Sequence, residues 1–502
     1  MKNAIVIGGG HNGLVTANYL AKAGMNVTVL EANAQMGGLA GGRPICEGYE
    51  SLGTLSSTRA FRPWIVKDLA LESHGLSRGS TPAITTLHAH GAQPIYLTET
   101  TLDGDVGQED RDQFAAHFAF LNRIGKTISR LLDQAPLDPL GPIMPLLGPL
   151  LSVRSLGADD MTEVMRIGSM CIADWMRDTF QSERLGAGIC HDALVGTWCG
   201  PWSPWTALNL ILNQSTRFGE FVGGSPALVR ALVDASTARN ITLRTHAEVS
   251  KITVEAGQVK GVVLDSGEEI AAHIVAASTD PKSTLLDLLD PRAIPPSLSR
   301  DVSNIRMRGT TAKLEIALSG VPLDVGGQPI SRLRTGADLN DIEKAFDAVK
   351  YDQMSEIPVL DIQVCSHAEG AVCPAGHAVA SVTVRYAPHR LKGGWTSDAK
   401  SLLHERVRKQ LSLVSPNMSD LIVGEMVMTP ADLEETFSLS GGHLLHGEPA
   451  PDQLLFMRPT VDLSQYTTPI AGLYLCGSGS HPGGGITGVP GALASRVILK
   501  QN

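Results

Sequence analysis

The stretch Gly8-Gly9-Gly10-His11-Asn12-Gly13 constrains this chain more than any other, because of what flanks it. Ala4 to Ile7 is a short apolar run that reads as a buried parallel strand. Leu14 to Ala23 follows with helix-forming residues and an apolar face at Leu14, Ala17 and Leu20-Ala21, and Gly24 stops it. Asn26 to Leu30 is a second strand, and Glu31 stands at its end. Strand, glycine turn, helix, strand and acid, in that order, specify a Rossmann unit that holds a dinucleotide. Gly8 permits the tight turn, Gly10 has no side chain to block a pyrophosphate, and Gly13 lets the helix close on the strand. Asn12 sits inside the same turn, where unpaired N–H groups and the positive dipole end of the helix face the phosphates. Glu31 is placed to accept hydrogen bonds from ribose hydroxyls. A glycine turn of purely structural purpose is the alternative, and it leaves the acid unexplained.

NAD and FAD both suit such a turn, and the next residues separate them. Gly37 and Gly38 follow Glu31 in an E-x5-G-G arrangement, which resembles the second signature of FAD enzymes of the glutathione reductase type. Small residues there let the backbone pass close to the cofactor's pyrophosphate. Many relatives continue with Ser or Thr; this chain reads Leu39-Ala40-Gly41-Gly42-Arg43, so Arg43 is the candidate for any phosphate contact.

The other end of the chain carries the second signal. Gly472 to Gly477 is an apolar strand ending in glycine, and it runs on through Ser478, His481 and Gly483-Gly484-Gly485-Ile486 to a helix-compatible segment, Ala492 to Lys500. Backbone N–H groups at such a turn suit the electron-rich edge of a reduced flavin, which makes Gly477, Gly484, Gly485 and Ile486 cofactor candidates. Gly483 to Gly488 spells a further G-x-G-x-x-G, but no second strand with an acid follows it. Between the two ends, Pro226 to Ala238 reads as a helix. The runs 248–254, 259–264 and 269–276 then read as a β-meander turning at Gly257 and Gly267.

Residues 6–24, 223–283, 429–447, 452–459 and 473–491 together resemble the phytoene-desaturase-related flavoproteins, a group that includes carotenoid desaturases and isomerases and retinol saturase. Residues 95–220 are the least similar part. The resemblance implies an α/β fold in which a glutathione-reductase-type FAD-binding Rossmann lobe is interleaved with an α+β substrate lobe. The FAD lobe would take residues 1–90, 215–290 and 430–502, and the substrate lobe 91–214 and 291–429. It also implies that the backbone at Val249 pairs with adenine. Gly309 to Ala317 and Ala378 to Arg385 read as strands in the substrate lobe, and 113–132 and 162–180 as helices.

Composition excludes several other classes. A formal charge of -10 argues against a nucleic-acid surface. Seven cysteines without a CxxC pair argue against a dithiol redox centre or a zinc knuckle and for a reduced, cytoplasmic protein. The first strand starts too early for a signal peptide to precede it, and no apolar run reaches spanning length. The proline-broken apolar stretch 136–153 reads as a loop over the protein's own core or as a lip touching a membrane.

Flavin carries redox chemistry itself, so no indispensable catalytic triad is expected. His481 is the catalytic candidate, with a loop-anchoring role as its alternative; His446 reads as a loop residue. Trp198, Trp202 and Trp205 line a pocket or fill the substrate-lobe core, and Arg59 and Arg62 contact cofactor or a substrate carboxylate unless they are solvated. The resemblance points to an FAD-dependent dehydrogenase or desaturase of an apolar small molecule, with oxygen or a quinone as electron acceptor. A flavin amine oxidase is disfavoured because only Tyr466 and Tyr474 supply aromatics near the end of the chain. A redox-neutral flavin isomerase and a flavin-bearing interaction protein are the remaining alternatives. Substrate identity and oligomeric state are not encoded in any motif.

Overall fold

Residues Asn3–Ile7 (β1), His11–Lys22 (α1) and Asn26–Leu30 (β2) form the expected strand–helix–strand unit in the computed structural model. The structure describes residues 2–79, 84–88, 91–139, 141, 154–214 and 216–502. β1 is the middle of a five-stranded parallel sheet in the order 473–475, 274–277, β1, β2, 242–244. A central strand covered on both faces must be apolar throughout, and β1 divides its residues accordingly. Ala4 and Val6 pack with Ala17, Leu20 and Leu493. Ile5 and Ile7 pack on the opposite side with Ile252 and Val262 of the meander. Each fully buried aliphatic side chain of this kind contributes about 1.5–3 kcal/mol. α1 is flanked by the helices Gly224–Ala238 and Val489–Gln501, each starting a few residues before its expected boundary.

The meander comprises Val249–Glu255, Gln258–Leu264 and Glu269–Ala271. The run expected as one strand from 269 to 276 divides between two sheets. Ala272 N–H still donates to Lys260 in the meander at 2.9 Å, whereas Ile274–Ala277 turns away and pairs in parallel with β1. One unbroken apolar run can serve both, because burial is common to the two sheets and only the partners differ.

The second lobe is built on an eight-stranded sheet in the order 422–428, 311–318, 378–385, 359–366, 332–334, 85–87, 95–97, 102–104. Thr85–Leu87 pairs with Arg332–Arg334 and Ile95–Leu97, so the chain enters this lobe a few residues earlier than the boundary at 90. One face carries Leu314, Ile316, Leu360, Ile362 and Val382 against Leu403, Val407 and Leu411 of the helix Ser397–Val414. The opposite face carries Lys313, Glu315, Arg334, Asp361, Ser381 and Arg385, every one of them buried. The helix expected over 113–132 spans Gln108–Leu132. The one expected over 162–180 is two helices, Ala158–Ser169 and Ile172–Thr179. Met170 and Cys171 are extended between them, and the Cys171 thiol accepts the Asp174 N–H as the second helix's N-cap.

Most of the stretch 136–153 lies outside the described residues. Among the described residues, no helix is long and apolar enough to cross a membrane.

Candidate functional site

The glycine turn opens onto a cavity of about 490 Å³ at the carboxyl ends of the parallel strands. Gly8, Gly10, Asn12, Glu31, Gly38 and Val249 all line it. At Gly8, φ is +90°, which favours a residue without a Cβ. A Cβ at Gly13 would lie 2.1 Å from the Gly8 carbonyl oxygen, so glycine is what allows α1 to approach the turn. A Cβ at Gly10 would meet only Ser278 Oγ, at 4.0 Å; the space beside it is the cavity. Gly10 and Gly37 form a parallel bridge, and Gly37 N–H donates to Gly9 O at 2.8 Å, which fastens the second glycine pair beside the first. Glu31 is 6 % exposed, and its carboxylate is fixed at the end of β2 by the N–H groups of Gly9 (2.8 Å) and Asn33 (3.0 Å).

The two ends of the sequence meet at this cavity. Asn12 Nδ2 donates to Ser478 Oγ at 3.1 Å, and Ser478 also lines the cavity. Thr16 Oγ1 donates to Gly491 O at 3.1 Å. A Cβ at Gly477 would lie 2.4 Å from Ser278 O, which places that glycine against the loop after 274–277. Arg458, absent from the sequence-based candidates, stitches the surrounding loops: its buried guanidinium donates to the carbonyls of Leu445 (2.7 Å) and Ser478 (2.9 Å). Asn12 Oδ1 and His446 Nδ1 are buried without a partner beside the cavity, which is the pattern of a site whose ligand supplies the missing contacts.

Two further cavities, of about 210 and 120 Å³, lie between the lobes and share Ala60, Val195, Leu445 and Gly485. Gly484 lines the smaller, Ile486 the larger. The larger has apolar walls at Leu55, Val195, Leu445 and Ile486, and a charged floor of Arg59, Arg217, Arg332, Arg385, Asp192 and Asp361. Arg332 binds Asp361 through two bonds, of 2.8 and 2.7 Å. Arg334 and Arg217 share Asp192. Burial opposes ionisation of both aspartates, but Arg332 and Arg334 at Asp361, and Arg334 and Arg217 at Asp192, outweigh it and hold both below the usual carboxylate range. Burial pulls Arg59 down to about 10, with Arg217 and Arg332 adding to the effect.

Neither Arg59 nor Arg62 is free on the surface: Arg59, half-buried, lines the inter-lobe cavity, and Arg62, buried at 1 % exposed, pairs with Asp133 at 2.6 Å. Arg43 lies outside the cavity lining, its guanidinium 4.3 Å above the ring of Phe437, which does line it. His481 is fully buried and lines none of these cavities. Burial pushes its ring down to about 4, so it is neutral, and neither ring nitrogen has a hydrogen-bond partner among the described residues. His446 and His11, by contrast, both line the dinucleotide cavity, and burial lowers both, His11 to about 4. Trp198 packs edge-on against Phe346 in the substrate-lobe core, with Trp202 against the same cluster. All seven cysteines are free thiols, and among the described residues no cluster of His, Cys, Asp or Glu could hold a metal ion.

A parallel sheet whose glycine turn opens on one cavity, joined to a second lobe across another, is a Rossmann-type nucleotide-binding architecture. The relatives of this chain in sequence are oxidoreductases, phytoene desaturases among them. The model of the NAD(P)-binding Rossmann-like domain matches residues 6–51. The chain is 29% identical to pyridine nucleotide-disulfide oxidoreductase domain-containing protein 2 of Rattus norvegicus, over 99% of this chain and 93% of that one. It is 24% identical to a lycopene-forming phytoene desaturase of a Paracoccus strain, over 100% of this chain and 98% of the other. Cyclohexylamine oxidase from Brevibacterium oxydans shares the fold, with a TM-score of 0.61 and 14% identity, covering 100% of this chain and 99% of that one.

Proposed function

We propose that the chain binds FAD across the two ends of its sequence and works as a dehydrogenase or desaturase that takes hydride from a small organic substrate held between the lobes. The observation that carries this reading is the contact between Asn12 and Ser478, which brings both glycine clusters to one set of adjoining cavities. In this reading Gly8, Gly10 and Gly38 leave room for the pyrophosphate, Glu31 accepts the ribose hydroxyls, and Val249 lines the adenine end. Gly484, Gly485 and Ile486 bound the ring where the dinucleotide site meets the inter-lobe cavities. FAD supplies, when bound, the two-electron acceptor for the substrate's hydride. The chain's own residues orient the substrate and exclude water, and the electrons leave to oxygen or a quinone.

An amine oxidase activity is the weaker reading despite the shared fold. Among the described residues no Phe, Tyr or Trp lines either inter-lobe cavity, and four arginines on the floor of the larger oppose an ammonium group. Tyr466 is instead buried and donates to His481 O at 3.0 Å, while Tyr474 donates to Gln501.

The test is direct. Purified protein should be yellow or take up FAD stoichiometrically, and anaerobic addition of the right organic substrate should bleach it. A colourless protein that refuses FAD ends the proposal.

A further inference from the structure

We propose that the larger inter-lobe cavity is built to hold an organic carboxylate, its acid group on Arg385 and Arg59 and its hydrocarbon part toward Gly485 and Ile486. This rests on the reading of that cavity as the substrate site and adds the class of substrate to it.

A half-polar antiparallel sheet ordinarily turns its polar face to water. In the eight-stranded sheet that face is buried and forms the cavity floor, so each charge on it needs a partner within the protein or in a ligand. Most have one. Arg332 is committed to Asp361 by two bonds, and Arg334 and Arg217 are committed to Asp192. Lys313 donates to Ser381 at 2.6 Å, and Ser381 donates to Glu315 at 2.8 Å, which links that pair through one carboxylate oxygen.

Arg385 is the arginine of this face that has no hydrogen bond to a carboxylate. Its side chain is 8% exposed, and its closest carboxylate is Asp361, 3.8 Å away and already held by Arg332. Its Nε is buried with no acceptor, and the residue lines the cavity. Arg59 is the second under-used cation. It reaches Glu99 at 3.3 Å, and its other carboxylate, Glu220, lies 4.0 Å off, occupied by the Thr58 N–H and the hydroxyls of Ser57 and Thr58. Burial lowers the pKa of both arginines, so the fold holds two guanidinium groups in a setting that disfavours their charge.

A guanidinium presents a planar fork of donors that matches the two oxygens of a carboxylate. Thr383 shares the floor; its hydroxyl already accepts from Lys313 at 3.2 Å, which leaves its own proton for an acceptor in the cavity. The facing wall of Leu55, Val195, Leu445 and Ile486 suits a hydrocarbon chain. An acid at one end and an apolar body at the other is the ligand that satisfies both walls.

The experiment is titration calorimetry of the purified protein with octanoate, methyl octanoate and octylamine, with flavin content read separately from visible absorbance. Octanoate is expected to bind at least tenfold tighter than its ester, and octylamine not at all. Arg385→Gln should weaken octanoate binding at least tenfold, leave the flavin spectrum in place, and unfold at the same or a higher urea concentration than the parent, because it removes a charge that has no hydrogen bond to lose. A structural arginine would instead lower that midpoint. Should Arg385→Gln not fold, Arg59→Gln gives the second reading, with at least a fivefold loss of octanoate affinity expected. Equal affinity for acid and ester, or octanoate binding unchanged in the folded variant, overturns the proposal. A yellow protein that ignores octanoate sinks this inference alone, and a colourless one that binds it sinks only the flavin reading.

Discussion

Gly10 and Gly13 lie three residues apart in one motif, yet the structure predicts opposite consequences for their replacement. A Cβ at Gly13 would sit 2.1 Å from Gly8 O and 3.3 Å from Ser278 Cβ. A carbon needs about 3.3 Å from a carbonyl oxygen, so Gly13→Ala must push α1 back by roughly 1 Å. Over-packing of this kind costs about 1–3 kcal/mol, and the upper end is expected here because the obstacle is backbone that no rotamer change relieves. Against a total stability of about 5–15 kcal/mol that is a large fraction. At Gly10 the backbone is extended (φ -66°, ψ 169°), and an added Cβ meets nothing closer than 4.0 Å. Gly10→Val should therefore lose less than about 1 kcal/mol, the N-cap preference for glycine over valine. Its side chain, however, stands in the cavity, where it should weaken FAD at least 100-fold, or about 2.8 kcal/mol. Urea unfolding of the flavin-free proteins followed by tryptophan fluorescence reads the first quantity, and quenching of FAD fluorescence on binding reads the second. Gly10→Val that binds FAD normally, or Gly13→Ala that unfolds with the parent, would refute the assignment of one glycine to the ligand and the other to the fold.

Two further predictions concern stability. Asp133→Asn leaves the Arg62 guanidinium, 1 % exposed, without its countercharge, while Trp64 Nε1 keeps an acceptor only if the amide oxygen faces it. Uncompensated buried charges cost about 3–5 kcal/mol; because Asp133 is itself 20% exposed, roughly 2 kcal/mol is expected, and an unchanged urea midpoint would contradict it. Burial lowers His11, His117, His443 and His481 to about 4 and His191 to about 3, all from 6.5. Between those values the unfolded chain takes up protons that the native protein refuses. Their stabilisation is thus present above pH 6.5 and lost as pH falls toward 4, at up to about 1.4 kcal/mol per pH unit for each ring. Urea midpoints at pH 7 and pH 5 should differ steeply, and a flat profile would mean these rings are not neutral and buried.

The nucleotide half was legible because its signals are local. Gly8, Gly10, Gly13 and Glu31 act within one turn and two strands, and Gly37 and Gly38 reach the first turn through a single bridge. The division of 269–277 between two sheets was not legible, since an apolar run carries no mark of its partners. Nor was the break at Met170-Cys171, where helix periodicity continues across two extended residues. The charged floor escaped for another reason. Thr311-Ala-Lys313-Leu-Glu315 and Ser381-Val-Thr383-Val-Arg385 alternate polar and apolar, as a half-exposed strand does. Nothing along one strand says that its polar side is covered. Four neighbouring strands alternating in register, with charges of both signs, are the pattern that would have shown it.

The parallel sheet draws its strands from three distant parts of the chain, and one of its two edge members, 473–475, comes with the loop that carries Ser478 and Gly484. During synthesis, β1, β2 and 274–277 therefore leave the ribosome long before that neighbour does. Until then the flank of 274–277 presents unsatisfied peptide groups, a template for wrong pairing. On the FAD reading, the site stays half-built until residues 473–488 have been made and paired. Truncation before residue 473 should on that reading yield sticky polypeptides that take up no FAD.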